Sequence, residues 1–123
     1  MISKELLTAV RNDEHKVLNT DLNYLEEDNK IGYLLDNRQW YFINIYELMH
    51  ICKIWAHSNG YMLNTVILTA DNKTWYCEDD YKKTRTTWKD DSEVHVIFKA
   101  CEWILEEINK YNKHLKFING NNI

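Results

Sequence analysis

The chain has 123 residues, the size of a single domain, of which 45% are hydrophobic and 28% are charged. Five Trp, eight Tyr and three Phe supply enough apolar surface to exclude disorder along the whole chain. The formal net charge of −4 excludes the global positive field of a sequence-independent nucleic-acid binder, although it leaves room for a local basic strip.

The first third of the chain predicts a short helix and a hairpin. Ser3 is a good N-cap for a helix over residues 4–11. Residues 17–30 have an ambiguous pattern, which fits either a strand or a packed loop. Two apolar runs, 31–35 and 39–43, are separated by three polar turn residues and therefore predict a β-hairpin.

The middle of the chain predicts a buried helix over residues 45–58. Asn44 is a favourable N-cap, and Asn59-Gly60 suits a left-handed helix end. Between them, apolar residues recur at helical spacing along one face. They are Ile45, Leu48, Met49, Cys52, Trp55 and Ala56.

Three strands and a second helix are expected to follow. The strands are predicted over residues 62–70, 74–78 and 83–88, the last because it is rich in β-branched residues. The strongest helical periodicity in the chain begins at Ser92 and predicts a helix to about Tyr111. Acidic residues before Ser92 complement the helix dipole.

These elements predict an α+β fold in one domain, residues 1–123. We expect an antiparallel sheet of three to five short strands, with the helices over 45–58 and 92–111 packed on it. The N-terminal helix and hairpin (1–43) lie beside this helix–three strands–helix unit (44–111), and the hairpin can extend the same sheet. Residues 112–123 are expected to form a tail, in which residues 119–122 are frayed.

The cysteines and the N-terminal residues predict a cytoplasmic protein. Cys52, Cys77 and Cys101 are odd in number and have no C-x-x-C spacing, which favours free thiols in a reducing compartment. The first residues have no signal-peptide pattern, and no run approaches 18 apolar residues. We therefore expect no membrane association.

Residues 41–109 resemble small, mostly uncharacterised phage and prophage proteins of the ABA-sandwich type. The resemblance lies in a helix, then strands bearing Trp75 and Trp88, then a helix that opens with Ser92-Glu93-Val94 and carries Ala100-Cys101. It implies an origin in a mobile genetic element and implies no catalytic residue. The chain is also rich in Asn, Lys, Ile and Tyr, whose codons are AT-rich, and this bias agrees with such an origin.

The helix–three strands–helix order also looks like that of the double-stranded-RNA-binding domain. That family grips phosphates with a basic helix start and reads duplex shape across the minor groove. Here the corresponding helix start, residues 90–93, is acidic, and the loop at 71–73 has no histidine. The resemblance therefore implies a shared topology without the RNA site.

The sequence shows no catalytic or metal-binding constellation. His50 and His57 lie seven residues apart, whereas two histidines that bind a metal from one helix normally lie four apart. We expect no metal, no cofactor and no enzymatic activity. A small enzyme centred on Cys77 or on the pair Asp79 and Asp80 is the weaker reading, and it predicts a concave pocket at that strand end.

Protein binding is the function that the sequence favours. The chain has more aromatic residues than its core needs, so some are expected at the surface, where Trp and Tyr are enriched in binding hot spots. These aromatics are Trp40, Tyr41, Phe42, Tyr46, Tyr61, Trp75, Tyr76, Trp88 and Trp103. The residues predicted to bind a partner are Trp75, Glu78, Asp79, Asp80, Trp88, Asp90, Asp91 and Trp103.

The expected partner is a host protein. The acidic turns suit a basic groove where nucleic acid otherwise lies, which suggests an anti-CRISPR-like inhibitor of a nucleic-acid-handling defence factor. A homodimer is a further possibility. The alternative is a nucleic-acid-binding accessory module, in which Lys82, Lys83 and Arg85 on the third strand track the backbone.

Overall fold

The computed structural model describes residues 2–21 and 29–121, which form three helices and six strands. The α+β class is therefore confirmed. The helices are α1 (Lys4–Arg11), α2 (Ile45–Ser58) and α3 (Glu93–Asn121). The strands are β1 (Val17–Asp21), β2 (Lys30–Leu35), β3 (Trp40–Asn44), β4 (Leu63–Ile67), β5 (Trp75–Asp79) and β6 (Trp88–Asp90). Part of the ambiguous segment 17–30 is thus a strand, whereas residues 22–28 lie outside the described part.

The strands are divided between two antiparallel sheets, in the orders β1-β2-β3 and β4-β5-β6. The hairpin of β2 and β3 therefore pairs with β1 and does not extend the second sheet. The reason is local, because β3 passes directly into α2 at Asn44. The Asn44 side chain accepts the backbone N–H of Tyr46 at 2.9 Å, so the chain turns into a helix where the first sheet ends.

The predicted ends of the first two helices are confirmed. The hydroxyl of Ser3 accepts the backbone N–H of Leu6 at 3.0 Å, as an N-cap does. At the end of α2, Gly60 has a φ of +91°, a left-handed conformation that favours glycine. Both signals are local in sequence, which explains why the helix bounds were predictable.

Two elements differ in length from the prediction. Helix α3 continues to Asn121 instead of ending near Tyr111, so residues 112–121, which were expected to form a tail, are helical. The third strand of the second sheet starts at Trp88, not at residue 83. The chain before it is held in a turn, in which Lys82 has a φ of +55°.

The helices join the two sheets around one core. Helix α1 packs on β1, α3 packs on all three strands of the second sheet, and α1 and α3 both contact α2. The core is one connected cluster that draws on every helix and on both sheets. None of the described helices is both long and apolar enough to cross a membrane.

Candidate protein-binding surface

The predicted acidic residues do not form one patch. Glu78 and Asp80 lie at the end of β5, whereas Asp90 stands opposite Trp75 at the start of β5. The length of β5 separates the two groups by about 13 Å, from four steps of the strand rise. The acidic groups therefore flank the second sheet at opposite ends.

Asp79 is buried and stabilises the turn that follows β5. Its side chain is 1% exposed, and its carboxylate accepts the backbone N–H groups of Met62 at 2.8 Å, Tyr81 at 3.1 Å and Lys83 at 2.8 Å. Strand alternation explains the burial, because Asp79 shares the inner face of β5 with Cys77. The Asp79 carboxylate is therefore occupied within the domain, which does not favour its predicted contact with a partner.

Asp90 is engaged within the chain as well. Its carboxylate lies 3.1 Å from the ammonium group of Lys99. Burial raises the pKa of Asp90, but its hydrogen bond with Asp91 and the contact with Lys99 outweigh this, and the net pKa is below the ordinary value. Of the five predicted acids, Glu78, Asp80 and Asp91 are exposed.

The predicted tryptophans pack inside the domain. Trp88 is only 8% exposed, because it stands opposite Cys77 on the inner face of the second sheet. Its ring meets that of Trp103 edge to face at 5.7 Å, and Trp103 in turn meets Tyr61 at 6.2 Å. Trp103 and Trp75 are half-buried against the core. Trp88 is therefore a core residue, which does not favour its predicted contact with a partner.

The predicted basic strip is occupied by contacts within the chain. Lys82 lies 3.8 Å from the carboxylate of Glu78. The ammonium group of Lys83 donates to the carbonyl oxygen of Asn59 at 3.1 Å and lies 4.5 Å from the centre of the Tyr61 ring. Arg85 is exposed, but it lies in an irregular segment and not on a strand.

The cysteines and histidines form no reactive centre in the described part of the chain. Cys77 is fully buried, and this burial raises its pKa to about 12. His57 faces the hydroxyl of Tyr81 at 3.1 Å, and His50 is exposed. Residues 2–21 and 29–121 contain no group of three side chains suited to hold a metal.

Two cavities of the described chain are lined almost entirely by uncharged side chains. A groove of about 440 Å³ between α1 and α2 is lined by apolar and amide or hydroxyl side chains, including Val10, Ile51 and Trp55. A smaller cavity of about 210 Å³ lies on the outer face of β4 and β5, where Glu78 is its one carboxylate. Cys77 points to the opposite face of β5, so neither of these cavities brings Cys77 and the acidic pair together.

Large aromatic side chains are exposed instead along β3 and in the first turn of α2. Trp40, Phe42 and Tyr46 have exposed fractions of 48%, 54% and 55%. We call the exposed side chains of these three residues the aromatic corner. Trp40 and Phe42 alternate with Tyr41 along β3, so they share the outer face of the first sheet. These aromatics were not among the predicted partner-binding residues, because composition alone does not show which face of a strand is exposed to solvent.

The frame behind the aromatic corner is well supported. The ring of Tyr41 stacks on Tyr33 with 5.9 Å between centres, and its hydroxyl donates to Gln39 at 2.7 Å. The corner is bordered by two exposed charged residues, Arg38 in the preceding turn and Glu47 in the first turn of α2. An apolar centre with a polar border is the usual composition of a protein-binding surface.

Comparison of the chain with protein-family models, with curated proteins and with solved structures finds no significant match.

Proposed function

We propose that the protein is a non-enzymatic binding domain that engages another protein through the aromatic corner. The carrying observation is the exposure of three large aromatic side chains, Trp40, Phe42 and Tyr46, within seven residues of chain. Exposed Trp and Tyr are the side chains most enriched among residues that dominate binding energy. This proposal moves the predicted site from the second sheet to the first.

The energy available from these side chains is substantial. A buried aromatic side chain covers about 150–250 Å², so Trp40 and Tyr46 each have about 100 Å² left to bury. At about 25 cal/mol per Å², burying each of them yields about 2.5 kcal/mol before the entropic costs of association are subtracted. The corner is also pre-formed, because the Asn44 cap and the stack of Tyr41 on Tyr33 hold its backbone. A pre-formed surface loses little conformational entropy on binding.

The partner class rests on the sequence. The resemblance to phage and prophage proteins and the AT-rich codon bias support a host protein as the target, and a nucleic-acid-handling defence factor is the class that we propose. Glu78, Asp80 and Asp91 are exposed and can meet a basic partner surface, although Glu78 is also paired with Lys82. Because they lie at both ends of β5, they are better placed for separate contacts with a partner than for one continuous acidic surface that covers a nucleic-acid site.

A nucleic-acid-binding module has less support. Its predicted strip contains Lys82, paired with Glu78, and Lys83, bound to Asn59, which leaves Arg85 as the member without such a contact. Neutralising several phosphates needs several such cations, and affinity then falls steeply with salt. The start of α3 is acidic, which further disfavours phosphate.

The test compares tagged wild-type protein with the double variant Trp40→Ala, Tyr46→Ala in capture from host lysate, with and without nuclease. The control is Tyr81→Ala, which also removes an exposed tyrosine. Tyr81 contacts His57, which is eleven residues from Tyr46 along α2, or about 16 Å. We expect one protein that survives nuclease, is retained by the control and is lost with the double variant. Recovery that depends on nucleic acid, or equal recovery by all three proteins, contradicts the proposal.

A further inference from the structure

Strand β4 is an outer strand of the second sheet, and among the described strands it has a neighbour, β5, on one side only. Backbone bonds at both ends of this pair fix its pattern. The carbonyl oxygen of Met62 accepts the N–H of Asp80, and at the other end the N–H of Leu68 donates to Thr74. In an antiparallel pair, alternate residues turn their N–H and C=O groups towards the partner strand. The even-numbered residues of β4 therefore bond to β5.

The backbone groups of Leu63, Thr65 and Ile67 consequently point away from β5, and we call these three residues the open edge. Within residues 2–21 and 29–121, no hydrogen bond from another element reaches their N–H and C=O groups. Ile67 is 39% exposed and Thr65 is partly exposed. The open edge thus presents donors and acceptors at intervals of about 6.8 Å, the two-residue repeat of a strand.

The opposite edge of the same sheet is closed. Strand β6 has three residues, and by the same alternation the backbone of Lys89 is the one that points away from β5. The ammonium group of Lys99 donates to the carbonyl oxygen of Lys89 at 2.7 Å and also contacts Asp90. An incoming strand therefore meets an occupied acceptor at β6 and open groups at β4.

The sequence of β4 does not protect its edge. Edge strands usually have a lysine, a proline or a bulge, which prevents pairing with another chain. Residues 62–68 contain no charged residue and no proline, and the register of β4 on β5 is regular. Thr65, Val66 and Ile67 are β-branched and favour an extended backbone. A regular edge without such protection is suited to the addition of a further strand.

The outer face of β4 adds a carboxylate to this surface. The cavity of about 210 Å³ on that face is lined by Asn64, Val66, Tyr76, Glu78 and Thr87. Glu78 stands directly opposite Asn64 in the register. A residue of an added strand that lies beside Asn64 is therefore about 9.6 Å from the backbone of Glu78, two strand spacings. A lysine or arginine side chain and a glutamate side chain span this distance together.

The existing contact of Glu78 leaves room for such a cation. Its carboxylate lies 3.8 Å from the ammonium group of Lys82, and both side chains are more than half exposed. An exposed pair of this kind contributes little free energy, so a second cation can compete for the carboxylate.

We infer that the open edge binds an extended segment of a partner protein, which adds to the second sheet as a strand antiparallel to β4. The inward-facing residues of this segment are apolar and lie beside Leu63 and Ile67. One outward-facing residue, beside Asn64, is a lysine or arginine that reaches Glu78. This surface is separate from the aromatic corner, and the inference does not depend on the proposed function.

A second copy of this chain fits the open edge less well. In a symmetric antiparallel pairing about Thr65, Val66 of the second copy lies beside Asn64. The carboxylate of Glu78 then receives no cation from the added strand. The charge at this edge therefore favours a segment of a different protein.

The first test titrates the full chain with the capped peptide Val-Thr-Val-Arg-Val-Thr-Val and follows the backbone amide signals by NMR. We expect saturable binding that shifts the amide signals of the open edge. N-methylation of the two valines that flank the arginine removes donors that face β4, so affinity should fall about tenfold or more. N-methylation of the two threonines alters groups that face away from β4 and should leave affinity nearly unchanged.

The second test changes the edge itself. The N–H of Thr65 does not bond to β5, so Thr65→Pro blocks the open edge without removing a hydrogen bond of the sheet. We expect it to weaken peptide binding about tenfold or more. The matched control is Thr65→Val, which loses the hydroxyl contact with Glu93 but keeps the N–H, and it should bind like the wild type. Thermal unfolding shows whether both variants keep the fold.

The third test concerns the cation. Glu78→Gln should weaken binding of the arginine peptide about fivefold, the upper range for an exposed ion pair. The same variant should bind a peptide with threonine in place of arginine as the wild type does. An equal effect on both peptides would contradict the contact between the arginine and Glu78.

Several results overturn the inference. These are the absence of peptide binding at millimolar concentrations, equal loss of affinity for the two N-methylated peptides, and wild-type affinity in Thr65→Pro. Self-association of the wild type that Thr65→Pro abolishes, measured by sedimentation, would show that a second copy occupies the edge and would also contradict it. None of these changes alters the aromatic corner, so failure here leaves the proposed function untouched.

Discussion

The carboxylate of Glu102 accepts hydrogen bonds from both the backbone N–H and the hydroxyl of Ser3, at 2.9 and 2.8 Å. The same hydroxyl accepts the N–H of Leu6, so one side chain caps α1 and ties it to α3. The two residues are 99 positions apart in the chain. This contact fixes the first helix to the longest one.

Ser3→Ala is therefore expected to destabilise the domain. The variant loses an N-cap, which is worth about 1 kcal/mol, and also leaves the Glu102 carboxylate short of a donor, so we expect a loss of about 1–2 kcal/mol. Urea unfolding followed by circular dichroism measures it. The control is Ser58→Ala, whose exposed hydroxyl donates only to Ile54 within α2. An equal effect in both variants would contradict the assigned role of Ser3.

Asp79→Ala is expected to lower the free energy of unfolding more than Ser3→Ala does. Three backbone N–H groups, of Met62, Tyr81 and Lys83, lose their part-buried acceptor. Unsatisfied buried donors cost about 1–3 kcal/mol each, so we expect a loss of about 3 kcal/mol after partial rescue by water. The exposed neighbour Asp80→Ala should change the free energy of unfolding by less than about 0.5 kcal/mol. If the two variants unfold alike, Asp79 is not the organiser of this turn.

The thiols are expected to be unreactive in the folded protein. Burial raises the pKa of Cys77 to about 12. The pKa of Cys101 is also raised, chiefly by its contact with Cys52 and then by burial. Because the thiolate is the reactive form, a thiol reagent should modify none of the three until the chain unfolds. Rapid labelling of Cys77 in the native state would revive a nucleophilic role for this residue.

Several local signals made the fold class predictable. Asn44, Ser3 and Gly60 mark helix ends by contacts within a few residues, and these ends were placed correctly. The strand expected over residues 83–88 failed for a non-local reason, because the buried carboxylate of Asp79 captures the chain into a turn before it can extend. β-propensity does not show such a competing contact.

The site was harder to predict than the fold. Trp88 is a core residue because the strand register places it opposite Cys77, where its ring also meets half-buried Trp103, and register is invisible in composition. Two signals were nevertheless present. The alternation of Cys77 and Asp79 in β5 indicated a buried carboxylate, and the apolar repeat through Leu115 and Ile118 indicated a longer α3.

Asp71 is expected to make the free energy of unfolding decrease at low pH. The backbone N–H groups of Thr74 and Lys73 and the Thr74 hydroxyl hold the pKa of its carboxyl below the ordinary value of 3.8. The folded state therefore binds the proton less readily than the unfolded state, and the stabilisation is present above about pH 4 and lost as the pH falls further.

The variant Asp71→Asn isolates this contribution. Thermal unfolding from pH 7 to pH 2 should show a lower melting temperature than wild type at neutral pH and convergence of the two proteins at the acid end. A difference that is constant over the whole range would show that the charge of Asp71 is irrelevant to stability.

A partner protein is expected to bind at the aromatic corner. The most direct measurement places a photo-reactive amino acid at Glu47, beside Tyr46, and compares it with the same group at Tyr81 in cells that carry the natural partner. We expect a cross-link to one protein from position 47 alone, and its loss when Trp40→Ala is added. A cross-link of equal strength from position 81, or one that persists with Trp40→Ala, would contradict the claim.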